Sequence, residues 1–311
     1  MNRRRTAALG AVALAGLAVG VGAPAYAGTV TITNTSQLAA FDVATAQQPE
    51  NLVAASNGAL DLTFNYSLQV GVVSSGGALS ILATLPQDSA NSAAVTGIVR
   101  MSNGDLYVNY AAGSQSGIWE ITPSGSAQQV VALPDAQWLN GLAYDSSENA
   151  LYATDSNLGA IWKISLSNGT ASIWSQSTDY NPSSAGVKGT NGLKIHNGNV
   201  YVSNTALGTL YSVPINSDGS AGAISTVATG VTGIDDFSFA SNGDVIAAQD
   251  PVSEVSDINL STGTTTVLLT ASAGLSDPTS VLVTGTTVYI TNGAYFTKTN
   301  PSLTVGTLNL G

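Results

Sequence analysis

The 311-residue sequence has no cysteine, one histidine and only 9% charged residues. Without thiols there can be no disulfides, thiolate zinc sites, iron–sulfur clusters or cysteine nucleophile. The lone His196 stands in an H-N-G turn at the far end of a hairpin, which argues against a Ser-His-Asp triad and against histidine-rich zinc sites. Basic residues are also scarce: there are eight Lys and Arg against 19 Asp and Glu. Three of the eight, Arg3, Arg4 and Arg5, precede an apolar run from Ala7 to Val21 and then A-P-A-Y-A before Gly28. A charged start, an apolar stretch and an A-x-A site read as a secretory signal peptide over 1–27, cleaved after Ala27. Residues 28–311 are then expected to form one secreted domain. Five remaining cations against 19 carboxylates give that domain a formal charge of −14, which repels nucleic acid and anionic membranes. No later apolar run approaches the roughly 18–20 residues needed to cross a bilayer. The expected partner is a small molecule rather than nucleic acid or membrane.

What the chain does have is glycine, at 33 residues, a hydrophobic content of 44%, and a repeat. Six similar segments begin at Glu50, Thr96, Asn140, Asn191, Asp235 and Asp277, spaced 46, 44, 51, 44 and 42 residues apart. Each has a short apolar strand, a tight turn and a β-branched or Tyr-rich strand. The turn is Asn-Gly in four of the six, at 57–58, 103–104, 197–198 and 242–243, the strongest short hairpin signal, in which both turn residues accept positive φ. Two further strand-like pieces follow, such as G-I-W-E-I-T (117–122) and Q-V-V-A-L (129–133). Four strands per unit and six units predict an all-β fold, a six-bladed β-propeller with four-stranded antiparallel blades around a central channel. The last unit lacks an outer strand, which T-V-T-I-T-N (29–34) can supply to close the ring.

The first residue of each innermost strand should lie at one mouth of the channel. That ring reads Glu50, Thr96, Asn140, Asn191, Asp235, Asp277, with oxygen-bearing side chains only. Hard divalent cations take carboxylate, amide-carbonyl and water oxygens. Glu50, Asn140, Asn191 and Asp235 are therefore the expected metal ligands, and calcium the expected cation, with Mg2+, Mn2+ and Zn2+ ranked below it. Without a cation, carboxylates crowded about one axis repel and shift their pKa values upward. The bland reading of the same ring is that Asn, Asp and Thr start strands well by bonding nearby backbone. Asp236 should point away from Asp235, as an outer support or a solvated acid. The second strands return to the same mouth and end near Asn109, Asp155, Asn204, Gln249 and Asn292, with Asn65 less clearly aligned. With Asn140, Thr96 and Asp277, the residues Asp155 and Asn204 are the expected substrate shelf.

These motifs resemble the senescence marker protein/gluconolactonase group of six-bladed propellers, the regucalcin-like family. P-E-N-L at Glu50 is similar to that family's blade-one Glu, N-G-L at Asn191 to its blade-four Asn, and I-D-D-F at Asp235 to its blade-five Asp. The resemblance implies that these three bind the metal, with Asn140 at the metal or substrate. Glu50 is followed by Asn-Leu rather than the family's usual Gly-Pro, and no substrate-binding arginine is identifiable; Arg100 reads as a packing or surface residue. The function expected is metal-assisted hydrolysis of an ester or lactone, with Asp235 and Glu50 as the catalytic carboxylates. Two alternatives stay open: a non-catalytic extracellular propeller binding a small molecule, glycan or protein, and a strictosidine-synthase-like lyase or synthase.

Overall fold

The computed structural model describes residues 29–88, 92–182 and 187–311. The segment expected to be a signal peptide, 1–27, lies outside the described residues. Six four-stranded antiparallel sheets follow one another around a common axis, a six-bladed β-propeller. The first strands are Pro49–Ala54, Ala94–Arg100, Leu139–Asp145, Thr190–His196, Ile234–Phe239 and Pro278–Thr284. Each packs against the first strand of the next blade, and Pro278–Thr284 packs against Pro49–Ala54, so the ring is closed. The fourth strands are mostly open to solvent, with a single buried residue each in Ala127–Ala132 and Thr265–Leu269. The core is divided between blades, with clusters such as Leu106, Val108 and Ile121 against Leu68 and Val70.

Closure occurs as the sequence indicates. Thr31–Ala40 pairs antiparallel with Ser302–Asn309 and becomes the outer strand of blade six. Both ends of the described chain thus share one sheet, and the apolar face of the last blade is covered by Ile32 and Leu308.

The hairpin turns differ in one respect from expectation. Only at Asn197 (φ 48°) and Gly198 (φ 72°) do both residues take positive φ. At 57–58, 103–104 and 242–243 glycine alone is left-handed, and the Asn side chain accepts from the N–H of Ala59, Asp105 or Asp244. These are longer turns closed by a left-handed glycine, a geometry that Asn-Gly serves as well as the two-residue turn.

The first strand of every blade carries one extra residue close to its start. In blade one Pro49 pairs with Phe64 and Leu52 with Leu62, so Glu50 and Asn51 oppose Thr63 alone. The same shift places Thr96–Gly97, Asn140–Gly141, Asn191–Gly192 and Asp235–Asp236 in bulges. A bulge re-aims side chains and ends pairing locally. The glycine that follows the ring residue in N-G-L and in T-G-I is required by the neighbouring blade: a Cβ on Gly141 would stand 2.4 Å from the Asn191 carbonyl oxygen, and one on Gly97 2.4 Å from that of Asn140.

Candidate active site at the channel mouth

The bulges are tied to one another by a relay of side chains on the second strands. Thr63 Oγ1 donates to the Thr96 carbonyl at 2.6 Å, and Asn109 Nδ2 to that of Asn140 at 2.7 Å. Thr154 Oγ1 donates to the Asn191 carbonyl and Ser203 Oγ to that of Asp235, both at 2.5 Å. Thr291 Oγ1 reaches the Glu50 carbonyl at 3.3 Å. In blade five the position belongs to Ala248, which has no group to donate. Each of Glu50, Asn140, Asn191 and Asp235 therefore has its backbone carbonyl held by the preceding blade.

These four side chains line one cavity of about 580 Å³ at the mouth of the channel. Asn140 Nδ2 donates to Ser156 Oγ at 3.1 Å, and Asn191 Nδ2 to Thr205 Oγ1 at 2.9 Å. Those bonds fix the amide orientation and leave Asn140 Oδ1 and Asn191 Oδ1 buried without a partner; Asp235 Oδ1 is in the same condition. Asn65 Oδ1 and Asp250 Oδ1, in the same cavity, are unpartnered as well. Buried polar atoms are normally satisfied, so five orphaned oxygens in one cavity are informative. Glu50 accepts from Tyr295 Oη at 2.5 Å and from Asn65 Nδ2 at 3.4 Å.

The carboxyls here are shifted as expected, although repulsion is not the largest cause. Burial pushes Glu50 up to about 7, opposed by the bonds from Tyr295 and Asn65. Burial also holds Asp235 well above the carboxylate range, reinforced by Glu50 and Asp250. Asp250, a third carboxyl of the cavity, is pushed up to about 8 by burial and then by Glu50. Burial lowers Lys188 to about 8 against the pull of Glu50 and Asp155.

Of the remaining sequence-predicted residues Asn65 lines the cavity, whereas Thr96, Asp277, Asp155 and Asn204 stand outside its lining and are bonded to the frame. Thr96 Oγ1 donates to the Leu139 carbonyl at 3.0 Å. The register places Thr279, not Asp277, at the sixth ring position: Pro278 pairs with Asn292 and Ser280 with Thr291. Asp277, two residues earlier, accepts from the N–H groups of Phe296 and Thr297, both at 2.7 Å. Asp155 accepts from the backbone of Gln137, Trp138 and Leu158 and from Trp162 Nε1. Asn204 donates to the Asp179 and Asn181 carbonyls and accepts from Leu207 N–H. Asp277, Asp155 and Asn204 thereby fix the loops that carry Tyr295 and Phe296, Trp138, and Thr205. Asp236 is buried, bonded to Lys194 at 2.5 Å and to Ser280 at 2.7 Å, so it is not a solvated acid. Arg100 pairs with Asp61 of blade one. His196 stacks on Phe239 with ring centres 4.1 Å apart, away from the cavity.

Sequence reasoning missed Asp250, Lys188, Trp138, Tyr66, Tyr295 and Phe296, all of which line the cavity. They come from connections between strands, whose unequal lengths a repeat alignment leaves unmatched. The one available signal was proximity: Asp250 directly follows Gln249, and Tyr295 lies three residues beyond Asn292.

A divalent cation can be tested against these donors. Among the described residues no group of three or more His, Cys, Asp or Glu is arranged to hold a metal. The candidate set is instead two carboxylates and two amide oxygens, three of the four residues presenting an orphaned oxygen. All donors are oxygen, which fits calcium or magnesium and not zinc.

Solved structures with this architecture include a gluconolactonase from Xanthomonas campestris, 14% identical over 92% of this chain and 99% of that one, TM-score 0.65. A luciferin-regenerating enzyme is 13% identical over 90% and 96%, TM-score 0.67. An inactive virginiamycin B lyase from Staphylococcus aureus with quinupristin is 17% identical over 85% and 81%, TM-score 0.60. The neighbours thus include the gluconolactonase-like propellers that the motifs resemble, and at these identities the likeness is one of fold. No curated protein matches the chain. A family model does match, over residues 63–233, more than half of the sequence, and the chain belongs to that family, described as a repeat of unknown function, DUF6923.

Proposed function

We propose that the protein is a secreted, divalent-cation-dependent hydrolase that acts on an ester or lactone at the channel mouth. The observation that carries this reading is the trio of buried, unpartnered oxygens on Asn140, Asn191 and Asp235 beside Glu50. Glu50, Asn140, Asn191 and Asp235 would hold the cation, with Ca2+ as the first choice. When bound, it supplies Lewis-acid polarisation of the substrate carbonyl.

The chain's own residues account for the proton. Asp235 takes it from the attacking water, and Glu50, oriented by Tyr295 and Asn65, is the second carboxylate able to hold one. Glu50, pushed up to about 7 by burial, lies in the range that suits proton transfer at physiological pH. The relay through Thr154 and Ser203 fixes the backbone beneath Asn191 and Asp235, so these side chains need little reordering when substrate arrives. The gluconolactonase and lyase neighbours are propeller enzymes, which agrees with catalysis on this scaffold without specifying it.

The test is calorimetric titration of the mature chain and of Asp235→Asn with calcium, with a panel of small esters and lactones assayed on the same samples. Binding and cation-dependent hydrolysis, both lost in Asp235→Asn while the fold persists, is the expected result. Absence of calcium binding in the wild type would refute the metal site. Calcium binding without turnover would make the protein a ligand-binding propeller.

A further inference from the structure

The described residues contain five Lys and Arg side chains, and their distribution is uneven. Arg100 pairs with Asp61, Lys163 with Glu148 and Lys194 with Asp236, all outside the mouth cavity. The remaining two, Lys188 and Lys298, have no carboxylate within ion-pair distance among the described residues, and both line that cavity. Among the described residues the two ammonium groups outside any ion pair thus line one cavity, which they share with Glu50, Asp235 and Asp250.

Lys188 is also held in place. Its Nζ lies 3.4 Å from the centre of the Trp138 ring. Trp138 in turn is fixed by its backbone N–H to Asp155 Oδ1 at 2.9 Å. A cation seated on an aromatic face keeps its other N–H directions free for a ligand. The mouth above it is apolar: Phe296 (67% exposed), Tyr66 (49%) and Val187 line the cavity, and Leu207 and Val252 are exposed on the adjoining loops. These are five of the eight large hydrophobic residues exposed among the described residues. Scattered singly they would carry no meaning, but gathered around one opening they mark a binding surface.

We infer that the mouth cavity takes an apolar molecule bearing one anionic group, carboxylate or phosphate, with the anion on Lys188 and Lys298 and the apolar body against Phe296, Tyr66 and Val187. The inference rests on the hydrolase reading only for the chemistry at the floor; the recognition stands separately. A lysine ammonium is a compact charge without the planar fork of arginine, so it takes either anion. The net charge of the protein opposes anions at long range, and the attraction is therefore local and persists at moderate salt.

The experiment is calorimetric titration of the mature chain with hexanoate, hexyl phosphate and the neutral hexanamide, repeated on Lys188→Met and on Lys298→Met. One of the two anions is expected to bind roughly tenfold or more tightly than hexanamide, and which one does so identifies the head group. Lys188→Met should remove most of that preference while calcium binding is retained, at the wild-type value or tighter for the loss of a positive charge near Glu50. Equal binding of hexanamide and both anions to the wild type would overturn the inference, as would full anion preference in both lysine variants. Should Lys188→Met fail to fold, the wild-type comparison and Lys298→Met still decide. Loss of calcium-dependent hydrolysis in Asp235→Asn tests the other reading, so the two can fail independently.

Discussion

Thr154 offers the most direct test of how the blades hold the site. Its hydroxyl accepts from the Gly141 N–H at 2.8 Å and donates to the Asn191 carbonyl at 2.5 Å. The first bond satisfies the N–H that the blade-three bulge takes out of the ladder; the second ties blade three to the bulge of blade four. Thr154→Val keeps the shape and removes both bonds in a fully buried place. Each buried backbone group left without a partner costs about 1–3 kcal/mol, so the pair should cost roughly 2–6 kcal/mol. At roughly 2 °C of midpoint per kcal/mol for a domain of this size, thermal unfolding should fall by about 4–12 °C.

Thr154→Ser provides the control, because it keeps the hydroxyl and loses one methyl group, a change of about 1 kcal/mol. Circular dichroism melts and urea titrations on the three proteins give the comparison. The reasoning is refuted if Thr154→Val lies within about 0.5 kcal/mol of the wild type, or if Thr154→Ser is as costly as Thr154→Val. In either case the relay would be incidental to holding the ring, and the position of Asn191 would need another support.

Further expectations follow from the same geometry. Gly141→Ala places a Cβ against the Asn191 carbonyl and should destabilise by about 3 kcal/mol or more in urea unfolding. Ala248→Ser supplies the hydroxyl missing from blade five and should raise the midpoint modestly, by about 0.5–1.5 kcal/mol if it reaches the blade-six strand. Asp155→Asn turns one of the two accepting oxygens into an NH2 donor facing backbone N–H groups, which should loosen Trp138, shift tryptophan emission to the red and weaken the hold on Lys188. Asp257 is pushed up to about 6, by burial and then by Asp244, so the folded state holds its proton more tightly than the unfolded chain. Its contribution to stability is complete below about pH 4 and is lost as pH rises through 6. Urea midpoints for Asp257→Asn should therefore decline less than those of the wild type between pH 4 and 7.

The blade architecture was legible because the chain repeats both its turns and its bulges. N-G-L at Asn140 and Asn191 marks a bulge whose second residue must lack a side chain, and that requirement writes itself into the sequence. The closing strand was legible for a related reason, since an unfinished sixth unit needs a partner. Blade six was misaligned by two residues because Asp277-Pro278-Thr279 offers polar residues at both candidate positions, and only strand pairing decides between them. The roles of Asp155 and Asn204 were not legible for a different reason. Both lie near the mouth, and a sequence cannot tell an oxygen aimed at solvent from one aimed at a neighbouring backbone N–H.

The bulge also explains why fold and chemistry separate in this protein. The residue after the ring position is constrained by the neighbouring blade, whereas the ring residue, though buried, is turned out of the ladder, and its side-chain type varies from blade to blade. Glu, Thr, Asn, Asn, Asp and Thr occupy the six positions on one common backbone frame. Two of these, Thr96 and Thr279, spend their hydroxyls on inter-blade bonds, Thr279 on the Pro49 carbonyl at 3.0 Å. Glu50, Asn140, Asn191 and Asp235 line the cavity, and three of the four leave oxygens with no partner in the protein. Folding places no demand for those oxygens, since an apolar residue at the same bulge would leave no buried atom unsatisfied. Their presence in one cavity is the argument for testing ligand binding there first.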